Sequence, residues 1–377
     1  MSRRRRLLPA AIVLTTALLL APAAANAANR YASPTGTALD SCADSMAPCS
    51  ISRAVNFASS GDDVTLLGGV PPGSAYSTSN GLNIPTGVSV HGAPGARPVV
   101  NFSLGVGEDG FYVPVGSTLR DVVADSTSQQ TALIDAIGGT VERVSAHSSG
   151  TGDYNYTCAG GTGAVFRDSV CWFSGPAASN ESNSSFAAFS QVSSDTVTLR
   201  NVTIFAPNAN GLNSVSFNNQ SMTVNATNVI ARGGAADVKT SDFGSGIAQT
   251  VNLDHSNYAT RDNSATGTIT DPATGANQTP YPAFVDAANG DFHEASTSSG
   301  TLDLGSATGL LPGELDADGA ARVLGSAPDI GGYEFAPVAT PVAQPPTAPT
   351  SHKKKCKKGS KLKKVKGKKK CVKKKKK

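Results

Sequence analysis

Arg120, Arg143, Arg167 and Arg200 recur at matching places in a repeated motif and could form an outward stack along one face of a fold. A row of guanidiniums can grip carboxylates on a ligand, or lie along the solvated face paired with acidic neighbours. The second role is the expectation. Asp121, Asp125, Asp135, His147 and His255 are the groups that proton transfer would draw on, yet no compact Asp-Asp, Gly-His-Gly or Arg-x-Lys accompanies them. No catalytic residue is assigned. Stacking is a third chemistry: residues 152–158 hold Tyr154 and Tyr156, and a bridge from Cys158 to Cys171 would carry them to Trp172, the only tryptophan. Aromatic faces stack on sugar rings, so Tyr154, Tyr156 and Trp172 are the carbohydrate-contact candidates. Asp316-x-Asp318-Gly319 begins like a Ca²⁺ loop but lacks further oxygen ligands and a distal Glu, and reads as a turn. No metal site is expected.

A repeat must position these residues. Thr118-Leu119-Arg120-Asp121-Val122-Val123-Ala124, Thr140-Val141-Glu142-Arg143-Val144-Ser145-Ala146 and Thr198-Leu199-Arg200-Asn201-Val202-Thr203-Ile204 share one pattern, and related segments surround Asp168, Asn228 and Asn257. Successive spacings are 22, 25, 33, 27 and 29 residues. Val197 and Leu199 have the opposite parity to Val202 and Ile204, so the inward face switches at a corner between them. Asp121, Asp168, Asn201, Asn228 and Asn257 suit such corners, since Asn and Asp tolerate the left-handed backbone of a sharp bend.

A strand, a corner, a second strand and a variable loop, stacked at about 4.8 Å per rung, make a right-handed parallel β-helix. A β-sandwich would not repeat one corner residue at rung length. Weaker rungs precede these at residues 64–67, 88–92 and 99–102. Before them, Ile51, Ala54, Val55 and Ala58 mark an amphipathic helix able to cap the open N-terminal end.

Residues 1–27 read as a secretory signal peptide: Arg3 to Arg6, an apolar run from Leu7 to Leu20, then Ala25-Asn26-Ala27. No later segment approaches the about 18 apolar residues of a transmembrane helix. The formal net charge of +4 hides a partition: between residues 28 and 350, ten arginines and Lys239 face all 28 carboxylates, a net of −17, while 17 lysines follow His352. Five prolines make residues 336–351 an extended linker. Residues 352–377 are too lysine-rich to fold alone and read as a disordered tail drawn to polyanions. Nothing in that tail could read bases, which excludes specific nucleic-acid recognition. The six cysteines fall into local pairs, Cys42 with Cys49, Cys158 with Cys171 and Cys356 with Cys371, whose closure an oxidising compartment favours; other connectivities stay open.

Tyr31-Ala32-Ser33-Pro34-Thr35-Gly36, the Cys42 to Cys49 segment, Ala54-Val55 and Gly61-Asp62-Asp63-Val64 resemble the entry of secreted bacterial β-helix proteins of the pectin-lyase-like superfamily. Phe284-Val285-Asp286, Gly290-Asp291-Phe292-His293, Leu302-Asp303-Leu304-Gly305, Asp316-Ala317-Asp318-Gly319-Ala320-Ala321-Arg322 and Asp329-Ile330-Gly331-Gly332-Tyr333-Glu334 resemble the terminal module named choice-of-anchor Q, at about residues 280–335. The resemblance implies a β-helix over residues 28–335 and an extracellular address. It also implies that Arg322 and Asp329 tie the last loops together. The superfamily includes polysaccharide lyases, hydrolases and surface proteins without known activity, so it does not fix one reaction.

The expected protein is therefore a secreted, monomeric, all-β solenoid. It faces carbohydrate as a binding or structural protein and attaches through its tail to a polysaccharide or cell-wall polyanion. The alternative is a polysaccharide lyase or glycoside hydrolase. No cofactor is expected, Ca²⁺ entering only with a lyase.

Overall fold

The computed structural model describes residues 27–37, 39–68, 74–178, 182–189, 194–216, 220–242, 246–297, 299–336, 358, 360–365 and 368–373. Two compact units divide the chain, Met1–Ala336 and Pro337–Lys377.

The first unit is a parallel β-solenoid with three walls. On the first wall Asn29–Ala32, Asp63–Leu66, Ser89–Gly92, Thr118–Arg120 and Thr140–Glu142 pair in order and lead into Val165–Phe173. Tyr76–Thr78, Val99–Phe102, Val123–Ser126 and Ser145–Ser148 build the second wall and meet the same long strand. From there Val165–Phe173, Asp195–Ala206 and Met222–Gly233 run through the bend and serve both walls. A third wall stacks eight strands, among them Phe111–Pro114, Ala132–Ile137, Tyr156–Gly161, Ser184–Phe189 and Asn210–Ser216. This wall occupies the stretch expected to be a variable loop. Its strands share no fixed residue type, so no repeat betrays them.

Register aligns like with like inside the solenoid. Val90, Leu119, Val141, Phe166, Leu199, Ala226 and Leu253 stack as one buried column. Val100, Ala124, Ala146, Cys171, Ile204 and Ala231 form a second. Phe111, Ile134, Cys158, Phe186, Leu212 and Val238 form the third. One rung cannot bury its inward side chains alone, and stacking supplies the missing neighbours. The Cys158–Cys171 disulfide joins the second and third walls, and Cys42–Cys49 closes a loop near the entry. Cys356 lies outside the described residues; Cys371 is disulfide-bonded.

The bend between the first two walls is left-handed at Asp121, Arg143, Asp168, Asn201 and Asn228, with φ between 50° and 57°. The sixth corner is His255 (φ 45°), not Asn257. Thr227 pairs with Asp254, so the register carries Asn228 onto His255, while Asn257 bridges Ile230 and Gln278 two residues later. Corner amides also bond along the stack: Asn228 Nδ2 donates to Asn201 Oδ1 (2.8 Å), and Asn201 Nδ2 to Asp168 Oδ1 (2.9 Å).

The expected helix spans Ile51–Phe57, buries Ile51, Ala54 and Val55, and starts at Ser50, whose hydroxyl accepts from the Arg53 N–H. It packs against Asn29–Ala32 and Asp63–Leu66. Of the expected signal peptide (residues 1–27) and linker (residues 336–351), residues 1–26 and 337–351 lie outside the described residues. In the second unit Ser360–Val365 and Lys368–Lys373 pair as an antiparallel hairpin, Leu362 opposite Cys371, where a structureless tail was expected.

Candidate functional site

Past the last full turn the chain doubles back as the antiparallel pair Phe284–Asp286 and Asp291–Glu294, then as loops along the corner column. Phe284 and Phe292 pack on Trp172 and Phe205 of the second wall. Glu314 accepts from Arg200 (2.5 and 2.6 Å) and from Asn201 (3.2 Å). Arg322, buried, meets Glu334 at 2.5 Å and Asp168 at 3.6 Å and donates to the carbonyls of Asp329 and Gly332. Asp329 in turn accepts from the Asp303 and Phe335 N–H groups. Arg322 and Asp329 thus bind the terminal loops together. Burial pushes the Asp168 and Glu334 carboxyls up to about 7, opposed by the Arg322 charge. Asp316 is a turn residue, its carboxylate accepting from the N–H groups of Asp318, Ala320 and Glu334.

Where these loops reach the earlier corners they leave a groove of about 440 Å³, lined by His91, Arg97, Arg120, Asp121, Arg143 and Asp318 among others. Arg143 holds both oxygens of Asp121 (2.7 and 3.0 Å) and pairs with Glu142, which also takes Arg167 (2.6 Å). Arg97 meets Asp318 at 3.0 Å. The expected pairing of corner arginines with acids therefore holds for Arg143, Arg167 and Arg200. Arg120 differs: it touches Asp121 through one nitrogen (3.1 Å) and is 36% exposed. At the edge of the groove His293 bridges Asp291 (2.6 Å) and Asp318 (2.7 Å). The hydrogen bond to Asp318, with Asp291 behind it, raises the imidazole to about 9, so it is a cation at neutral pH.

A second constellation lies on the outer face of the second wall. Asn101, Asp125, His147, Trp172, Phe205 and Arg232 stand in one register row. His147 Nδ1 faces Asp125 Oδ1 at 2.6 Å, and Nε2 faces the Ser174 hydroxyl at 2.8 Å. The His147 ring stacks on Trp172 with centroids 3.9 Å apart. Asp125 and His147 were visible as residue types, but Ser174 was not singled out. Asp125, His147 and Trp172 each lie four residues beyond a corner, at Asp121, Arg143 and Asp168. That offset was the available signal.

The aromatic candidates do not assemble. Tyr154 is 44% exposed with φ 60°, whereas Tyr156 is buried on the third wall among Ala132, Ala159, Ala187 and Phe189. Trp172 lies on the second wall, between His147 and Phe292, with Gly290 against its ring. The exposed aromatic beside a groove is instead Tyr281, over about 390 Å³ lined also by Phe205, Pro207, Arg232, Asp237 and Thr260. Asp135, on the third wall, is pushed up to about 8 by burial and by the charge of Asp109. His255 sits at its corner beside Asp254 (2.8 Å). Among the described residues no group of three His, Cys, Asp or Glu side chains is placed to hold a metal, and no helix is long and apolar enough to cross a membrane.

No family model matches the chain, and no curated protein does. Among solved structures, the crystal structure of pectate lyase Pel9A is similar, with a TM-score of 0.44 and 17% identity over 83% of this chain and 97% of that one. The solenoid is established by its own strand registers.

Proposed function

We propose that the protein is an exported, surface-associated solenoid that binds acidic polysaccharide in the arginine groove, its lysine tail attaching it to polyanions. The observation that carries this reading is the groove itself: Arg97, Arg120 and Arg143 converge there, with His293 at its edge, on a body whose net charge is −17. The lining sets three guanidiniums against Asp121 and Asp318, and the part-exposed Arg120 offers a planar guanidinium that suits a uronate carboxylate. Arg120 is the contact residue. Arg97 and Arg143 are held by Asp318 and Asp121 and set the walls. Their engagement favours binding over proton abstraction, so the lyase alternative is not adopted. The signal peptide, the disulfides and the C-terminal resemblance to choice-of-anchor Q support an extracellular address.

The test is calorimetric titration of the full chain with an oligouronide and with its neutral counterpart, at salt high enough to suppress tail binding. Arg120→Ala is measured in the same chain, so the tail is common to both. A charge-assisted contact worth about 1.5–3 kcal/mol predicts binding of the acidic sugar weakened about tenfold or more in the variant. Equal affinity for both sugars, or an unaffected variant, would remove the groove as the site.

A further inference from the structure

Asp125, His147 and Ser174 belong to three successive turns, yet parallel stacking brings them into one hydrogen-bonded line. A carboxylate only accepts, so Nδ1 of His147 carries the proton donated to Asp125, and Nε2 accepts the Ser174 hydroxyl proton. The Trp172 ring fixes the imidazole plane from one side. Asp125 and His147 are 39% and 25% exposed, which leaves the line open to a substrate from solvent. Gly175, next in the chain and buried, donates its N–H to no backbone acceptor among the described residues. A histidine serving only to cover Trp172 would need neither the carboxylate nor the serine.

From this geometry we propose that Ser174, His147 and Asp125 form an ester-hydrolysing site for small O-acyl groups. Ser174 Oγ attacks the acyl carbonyl carbon while its proton passes to His147 Nε2. Collapse of the tetrahedral adduct breaks the bond to the alcohol oxygen, which leaves with that proton. Water then attacks the acyl-serine, gives its proton to Nε2, and the carboxylic acid departs as Ser174 Oγ recovers a proton. Asp125 orients the ring and stabilises its charged form, and the Gly175 N–H supplies the oxyanion donor. An acylated glycan as the natural ester rests on the binding function above; the acyl chemistry does not.

The probes are a fluorophosphonate and p-nitrophenyl acetate, applied to the full chain. The wild type is expected to carry the phosphonyl adduct on Ser174, located by peptide mass spectrometry. Ser174→Ala should lower p-nitrophenolate release about 100-fold or more with its unfolding midpoint retained, and Asp125→Asn should lower turnover while leaving the serine in place. Neither probe carries a sugar, and the oligouronide titration contains no ester, so failure of the glycan groove and failure of this site read differently. Absence of a Ser174 adduct in the wild type, or release unchanged in Ser174→Ala, would overturn the assignment.

Discussion

Two polar rows climb the same solenoid a few residues apart. In the corner row, Asp168, Asn201 and Asn228 bond to one another and are sealed by Glu314, Arg322 and Ser306 from the returning loops. In the outer row of the second wall, the same loops cover Trp172 and Phe205 but stop short of Asp125, His147 and Ser174, which bond mainly to each other. The groove with Arg120 lies at the matching margin on the corner side. Cover by the C-terminal loops thus separates polar groups that hold the fold from polar groups free to meet a ligand. Buried polar groups must satisfy one another, and half-exposed ones can exchange a water for a substrate.

The sharpest way to break that contrast is under the cover. Arg322→Met leaves Asp168 and Glu334 buried without their cation and should cost about 3–5 kcal/mol in denaturant unfolding; a loss below about 1 kcal/mol would erase the distinction. Asn201→Ala is next: a left-handed Ala costs about 1–2 kcal/mol, and the lost amide bonds add roughly 1 more. Asn201→Gly keeps the conformation and should recover the first part, so equal losses would mean that the corner geometry is not what selects Asn. At the uncovered margin, His147→Gln should shift stability by about 0.5 kcal/mol or less while ester hydrolysis collapses. A large destabilisation there would place His147 with the structural row.

His293 gives a pH signature for the edge of the groove. Its folded-state value of about 9 exceeds the 6.5 of the free side chain, so its stabilising contribution is complete below pH 6.5 and is lost as pH rises through about 9. Thermal midpoints of the wild type should fall across that window, and His293→Asn should flatten the fall. An unchanged slope would mean that the Asp291–His293–Asp318 bridge contributes nothing to the margin.

The corner column was legible because a left-handed bend restricts residue type, and the restriction recurs at rung length. It misled at Asn257, where an Asn two residues past the bend outweighed His255, although His shares with Asn and Asp a tolerance of left-handed backbone. The third wall was illegible for the opposite reason: its outward positions hold Tyr112, Asp135, Ala159, Ala187 and Asn213 in register, with no common chemistry to repeat. Tyr156 and Trp172, near in sequence through the disulfide, were parted by wall assignment. Proximity of Cys158 and Cys171 specifies which inward positions meet, not which outward side chains share a face. Asp125, His147 and Ser174 needed register as well as type, and the register follows from the corners.

Hydrogen–deuterium exchange on the full chain, with and without an oligouronide, tests the glycan-binding account most directly. Protection is predicted at residues 91–97, 118–121 and 315–319, the margins of the arginine groove. Protection confined to residues 352–377, with the groove unchanged, would contradict it and leave the lysine tail as the sole polyanion-binding element.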